Sequence, residues 1–235
     1  MRKAIIFTAY DRVKYLHNTL KAWEKVKNIH EYDFFFSIEP SDHRDAICDV
    51  ISNFEEHTGL STIVWINYSK LGNPKNTFQC FDELFKDYDF VILAEDDVTP
   101  SEDICDYFTY LESKYKDVED VAIISANTKE NGIDPEAVAL NPYFNGLIWG
   151  TWKKYWDQYF RDTWEFDYTS QTPGGWDWNL TLRVLPKYNL FTVHPNMSRS
   201  QHIGLNGLHC TPDLFEGTQS PSFRENHIWK ELVQK

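Results

Sequence analysis

The stretch DFVILAEDDV, residues 89–98, decides how this chain is read. Asp89 to Ala94 is an apolar run of strand length with no polar alternation, the pattern of a strand buried on both faces of a parallel sheet. It runs straight into three carboxylates, Glu95, Asp96 and Asp97. In open α/β sheets, ligands bind outside the carboxyl ends of the strands. Three adjacent carboxylates there repel one another unless a cation offsets them. Mn²⁺ and Mg²⁺ take oxygen ligands from one or two carboxylates plus substrate phosphates, so a metal bridging this cluster to a diphosphate is expected. The plainer alternative is a solvated acidic turn ahead of the helix that begins near Ser101. The place of the triplet, at the close of a buried strand, favours the metal.

Upstream, the pattern repeats. Lys3 to Ala9 is a short apolar run that ends at a polar turn. Asp11 stands at a helix N-cap position. Val13, Leu16, Leu20, Trp23 and Val26 follow at helical spacing and make one apolar face. Asp33 to Ile38 predicts a second strand, ended by Glu39-Pro40. His43 to His57 predicts a helix, Ser61 to Ile66 a strand and Asn73 to Lys86 a helix. Strands alternating with helices in this way predict a parallel sheet with helices on both faces, an α/β fold.

Downstream the pattern is looser. A helix is expected over Ser101 to Lys116, a strand over Val121 to Ser125 and a loop-rich stretch from Asn127 to Pro142. Helices are expected over Thr151 to Phe160 and Trp176 to Val184, and a strand over Leu190 to His194. Asn196 to Pro221 carries Gly204, Gly207, Gly217, Pro212 and Pro221 and reads as a long loop; loops of that length in a compact domain usually serve function. Ser222 to Val233 closes the chain as a helix. No repeat or linker divides it, so one domain is expected, with residues 1–98 as its first half and 99–235 as its second.

Composition narrows the function. The chain has 235 residues, 42% hydrophobic and 25% charged, which is enough for one sizeable α/β domain. Lys and Arg number 23 against 36 Asp and Glu, a net charge of −13, so phosphate backbones and anionic lipid are disfavoured partners. Aromatic residues reach 16%, with nine Trp, which suits either a packed core or a surface that stacks on sugar rings. No apolar run approaches a membrane span or a signal region. Cys48, Cys80, Cys105 and Cys210 show no paired spacing and read as buried, reduced thiols, so the expected place is the cytoplasm.

These blocks resemble a family. The Asp11-Arg12 pair after the first strand and the Glu95-Asp96-Asp97 triplet after the fourth are similar to those of GT-A glycosyltransferases related to N-acetylglucosaminyltransferase I. Gly175-Trp176-Asp177-Trp178 resembles the family's Trp-Asp segment, which carries its catalytic base. Pro195-Asn196-Met197-Ser198-Arg199-Ser200, leading to Gly204, Gly207 and His209, resembles the loop that closes over the donor. The order of these blocks spans most of the chain, and soluble bacterial and phage members are the nearer match. The resemblance implies a GT-A fold, a nucleotide-sugar donor, UDP-linked before GDP-linked, and Mn²⁺ or Mg²⁺ as cofactor. It also implies an acceptor hydroxyl on a glycan, a protein or another compound.

Roles follow residue by residue. The resemblance makes Asp97 the direct metal ligand, with Glu95 and Asp96 contacting the donor's sugar or ribose or orienting the metal's waters. Arg12 is placed to reach the diphosphate with a bidentate fork, or is an exposed helix-start arginine. The resemblance implies that Glu39 accepts the uracil N–H; otherwise it is a polar strand end. The Lys70 to Lys75 turn is expected to help hold the nucleotide, with Asn73 and Asn76 as turn or capping residues. Asp177 is the expected general base of an inverting transfer, sheltered by Trp176 and Trp178. Its plainer reading is an N-cap on an aromatic helix. His209 is expected on the metal or the diphosphate, with His202 the weaker candidate and Arg199 completing an anion clamp. The segment 196–221 is expected to act as a lid, and Trp149 either floors the acceptor site or fills the core.

Three other readings compete. A nucleotidyltransferase shares such a sheet and acidic site, but its Gly-rich phosphate loop is replaced here by the glycine-free Thr8-Ala9-Tyr10-Asp11-Arg12. An inactive carbohydrate- or nucleotide-binding protein of the same fold would explain the aromatics but not an intact triplet with Asp177. A phage enzyme that glycosylates modified DNA bases is disfavoured by the net charge.

Overall fold

The computed structural model describes residues 1–167, 175–205 and 210–226. Its first half alternates as the periodicity predicts: β1 (Lys3–Ala9), α1 (Val13–Trp23), β2 (Asp33–Ile38), α2 (Arg44–Thr58), β3 (Thr62–Ile66), α3 (Asn73–Leu84) and β4 (Phe90–Glu95). β1 is continuously apolar because it lies inside the sheet, hydrogen-bonded in parallel to β2 on one side and to β4 on the other. Ala4 to Phe7 and Phe90 to Ala94 are buried throughout. Each large apolar side chain so buried contributes about 1.5–3 kcal/mol. β3 forms the sheet edge beyond β2, which leaves Ile63, Val64 and Ile66 exposed. α1 buries Leu16, Leu20 and Trp23. Arg12, not Asp11, holds its N-cap position, and no side chain caps it.

The second half contains β5 (Val98–Pro100), α4 (Ile104–Tyr115), β6 (Val121–Ser125), β7 (Val138–Asn141) and β8 (Trp149–Trp152). The helical turn α5 (Lys153–Tyr155) widens into a π-helical stretch, Trp156–Phe160. α6 (Trp176–Asn179) continues through a π-helical stretch, Leu180–Val184, into α7 (Leu185–Tyr188), and β9 (Phe191–Pro195), β10 (Ser200–His202) and α8 (Pro212–Gly217) follow. The main sheet has eight strands in the order β3-β2-β1-β4-β8-β6-β9-β7, and β5 pairs with β10 in a separate two-stranded ribbon. β8 and β7 run against the other strands. This is the expected α/β architecture, a mixed and mainly parallel sheet flanked by helices.

Several expectations change. Thr151 and Trp152 belong to β8, not to a helix, which starts only at Lys153. β8 wedges between β4 and β6 because Gly150 lets it pass over Phe90; a Cβ there would meet the buried Phe90 ring at 2.5 Å. The strand is too short for its alternation to register in sequence, and cross-strand pairing overrides local propensity. β7 lies inside the stretch expected to be loop. Asn196 to Pro221 is not one long loop, since it contains β10 and α8. Residues 222–226 are turn and coil rather than helix, and the rest of that expected helix lies outside the described residues. Cys48 and Cys210 are only partly buried, unlike Cys80 and Cys105. No helix among the described residues is long and apolar enough to cross a membrane.

Parallel pairing in register, with Thr8 opposite Glu95 and Ala9 opposite Ile38, brings the ends of β1, β2 and β4 to one edge of the sheet. The turn at Tyr10 to Arg12, the Glu39 corner and the acidic triplet therefore lie side by side.

Candidate functional site

Two of the three carboxylates are buried rather than solvated, and Glu95 is partly buried. Asp96 and Asp97 are 3% and 2% exposed. Arg12 spans them: its Nε donates to Asp96 Oδ2 at 3.3 Å, and its two terminal nitrogens donate to Asp96 Oδ1 and Asp97 Oδ2. Burial pushes the Glu95 carboxyl up to about 8, with the Asp97 charge adding to the rise and Arg12 opposing it. Burial also raises Asp96, to about 7, against the pull of Arg12. For Asp97, burial would raise the carboxyl too, but the hydrogen bond from His202 and the charge of Arg12 outweigh it and hold the group below its ordinary value. Of the three, only Asp97 is held below its ordinary value. Its Oδ1 is buried with no hydrogen-bond partner.

The β5–β10 ribbon completes this corner. Val98 pairs with His202 across it, and the Ile203 N–H donates to the Asp97 carbonyl at 2.9 Å. His202 Nε2 lies 3.3 Å from Asp97 Oδ2, and its Nδ1 lies 2.8 Å from Thr218 Oγ1. Gly204 passes so close that a Cβ there would meet Asp97 Oδ2 at 1.9 Å, which only glycine avoids. Histidine is thus brought to the triplet, but through His202, the candidate ranked second in sequence. His209 and Gly207 lie outside the described residues. The signal for His202 was register: strand pairing fixes its neighbour, and pairing between residues a hundred positions apart leaves no local pattern.

Arg199 does not join an anion clamp. It is fully buried, its Nε donating to Asp103 Oδ2 at 3.2 Å and its terminal nitrogens to the carbonyls of Met197 and Pro135. The Ser101 hydroxyl donates to the other Asp103 oxygen at 2.5 Å. This pair ties the start of β10 to the start of α4. Removing one partner of such a pair leaves the other charge buried. Arg199→Ala is therefore expected to cost about 3–5 kcal/mol in chemical denaturation, with ligand affinity unchanged under folding conditions. Lost anion affinity at unchanged stability would restore the clamp.

At the neighbouring corner, Glu39 is buried. Its Oε2 accepts the Leu71 N–H at 2.8 Å, while Oε1 has no partner. Lys70 Nζ sits 3.7 Å above the centre of the Tyr10 ring. Asn76 is buried and accepts from Ser37 and Asn67, so it fastens the ends of β2 and β3 rather than facing a ligand. Asn73 accepts the Trp176 indole N–H at 2.7 Å and thereby fixes the start of α6.

Asp177 opens α6, beside buried Trp176 and half-exposed Trp178. Trp176 stacks between Trp164 and Trp149, at 5.0 and 5.6 Å, and this row of rings holds the segment rigidly. Trp149 is accordingly a core residue. Burial raises the Asp177 carboxyl, opposed by backbone N–H groups at the start of the helix. Its Oδ1 is buried without a partner, and its charge is near enough to push Glu95 up further.

No protein-family model and no curated protein matches this chain. Solved structures do. A mannosyltransferase from Pyrobaculum calidifontis, in complex with GDP-Man and Mn²⁺, matches at TM-score 0.58 and 10% identity over 83% of this chain and 54% of that one. Residues 1–349 of TarS from S. aureus match at 0.62 and 10%, over 87% and 61%. A putative nucleotide-diphospho-sugar transferase from Desulfovibrio desulfuricans matches at 0.51 and 14%, over 83% and 80%. The chain thus spans about half to four-fifths of these proteins' lengths. At such identities the likeness shows the fold, the GT-A arrangement expected from the sequence.

Proposed function

We propose that the chain transfers a sugar from a nucleoside-diphosphate sugar, UDP-linked before GDP-linked, to an acceptor hydroxyl, with a divalent metal bound at Asp97 and His202 and Asp177 as the base. The observation that carries this reading is Asp97. It is a buried carboxylate kept ionised, with one oxygen unpartnered, beside a histidine at the carboxyl end of β4.

Among the described residues no group of three or more His, Cys, Asp and Glu side chains is arranged to hold a metal. Two donors nevertheless fit Mn²⁺ or Mg²⁺, which complete their shells with diphosphate oxygens and water. Bound there, the ion would neutralise charge on the departing diphosphate. Arg12 would add a second positive group on the phosphate side. Glu39, with Oε1 free for one N–H, and Lys70 with Tyr10 would hold the base and ribose. Buried Asp96, held by Arg12, would help keep water out of the floor of the site. Asp177 would take the proton of the attacking hydroxyl, which implies inversion, and half-exposed Trp178 beside it offers the acceptor a ring to stack on. In this reading residues 1–98 serve the donor and 99–235 the acceptor. From the segment 196–221, His202 and Gly204 would lie over the metal end of the donor.

The test is calorimetry of the wild-type protein with UDP and with GDP, each with and without Mn²⁺. Binding that requires Mn²⁺ is the expected result, with UDP the tighter of the two. No binding of either nucleotide with Mn²⁺ present would end the reading.

A further inference from the structure

Arg12 sits where a cation is needed. It is anchored at the non-helical N-cap of α1, its side chain 29% exposed, and it forks across two carboxylates whose side chains are almost fully buried. Burying adjacent carboxylates without a counter-charge is prohibitive. The guanidinium supplies one such charge from within the chain, so this corner is partly neutralised before any ion arrives. It does so on Asp97 Oδ2, the oxygen that His202 also approaches, and leaves Oδ1 bare. A divalent ion on Asp97 would share one carboxylate with a guanidinium, and the two positive charges repel at that range.

We propose that Arg12 is a resident cation that competes with the divalent metal for Asp97. In the donor-free protein its single charge offsets that of Asp97 while it also holds Asp96, and it weakens uptake of the free ion. When ion and nucleotide arrive together, the diphosphate gives the guanidinium another anion to hold, and the penalty is relieved. Metal and nucleotide therefore bind cooperatively, each poorly alone. The inference rests on the donor–metal reading of the triplet and adds to it an order of events set by one side chain.

Its signature is a pair of effects with opposite signs. Arg12→Gln should bind Mn²⁺ without nucleotide roughly tenfold more tightly than the wild type, because the competing charge is gone. The same variant should bind UDP at saturating Mn²⁺ roughly tenfold more weakly, because a phosphate contact is gone. Both constants come from titration calorimetry, with free Mn²⁺ followed by electron paramagnetic resonance. If the wild type takes up Mn²⁺ with nucleotide and R12Q binds Mn²⁺ no more tightly, the competition is overturned and the donor site stands. If neither protein takes up Mn²⁺ with UDP or GDP, both fall. Should R12Q not fold, R12M decides, because it also removes the charge while keeping the length of the side chain. Mn²⁺ uptake tighter than in the wild type supports the proposal, and equal or weaker uptake overturns it.

Discussion

Asp97→Ala is expected to abolish Mn²⁺-dependent nucleotide binding, by at least ~100-fold, on the scale of a lost metal contact with its charge-assisted partners. The size follows from how much converges on this side chain. Arg12 and His202 both point to its Oδ2, Gly204 is packed against it, and its Oδ1 is the unpartnered oxygen of the triplet. No neighbour can stand in. Asp96 keeps both its oxygens on Arg12, and burial pushes Glu95 up to about 8, so it is largely protonated near neutral pH. The substitution should leave the fold intact, since Arg12 retains Asp96. A melting curve checks this, and calorimetry with UDP and Mn²⁺ reads the loss. Undiminished affinity in a folded D97A protein would move the metal off this residue.

Asp177→Asn is expected to lower turnover by about 10²–10⁴ while nucleotide affinity stays within about twofold, the pattern of a group needed for proton transfer and not for donor binding. The replacement keeps the shape and removes the base. The pH profile makes the assignment sharper. Burial raises the Asp177 carboxyl above the ordinary range, and a base works only when deprotonated. The wild-type rate should therefore climb as pH rises through a value higher than that of a surface carboxylate. In D177N that acid limb should disappear. The assay is turnover of whichever nucleotide sugar binds, with water or a sugar as acceptor. An acid limb that persists in D177N, or near-normal turnover, assigns the base elsewhere.

The legibility of the site divides along the same lines as its residues. The triplet, Glu39 and Arg12 were readable because each directly ends or follows a strand whose apolar run marks it as central. Parallel strands must then put their ends together. Asp177 is singled out in sequence by the likeness of its segment to the family's Trp-Asp block, and only packing shows Trp176 stacked between Trp164 and Trp149 and tied to Asn73. Arg199 was misread. Its neighbours in sequence are small and polar, as in a ligand-binding loop, and nothing local reveals Asp103 waiting for it in the core. The sequence gives His202 no precedence over His209, since chain distance to Gly204 and Gly207 says nothing about which residue faces Val98. β8 was missed for the same reason: four residues are too few for a period, and their place is set by β4 and β6.

Sequence alone therefore carried the order of strands and helices in the first half, the parallel sheet and the acidic strand end. Those features come from short-range periodicity and from the rule that buried runs lie side by side. The tertiary structure decided which carboxylate stays ionised, which histidine reaches it and which arginine neutralises it. Those outcomes depend on burial and on contacts between residues some eighty to more than a hundred positions apart, Arg12 to Asp96 and Asp97, and Asp97 to His202. A carboxylate's charge is set by what surrounds it in space, and the chain's own order does not contain that until it has folded.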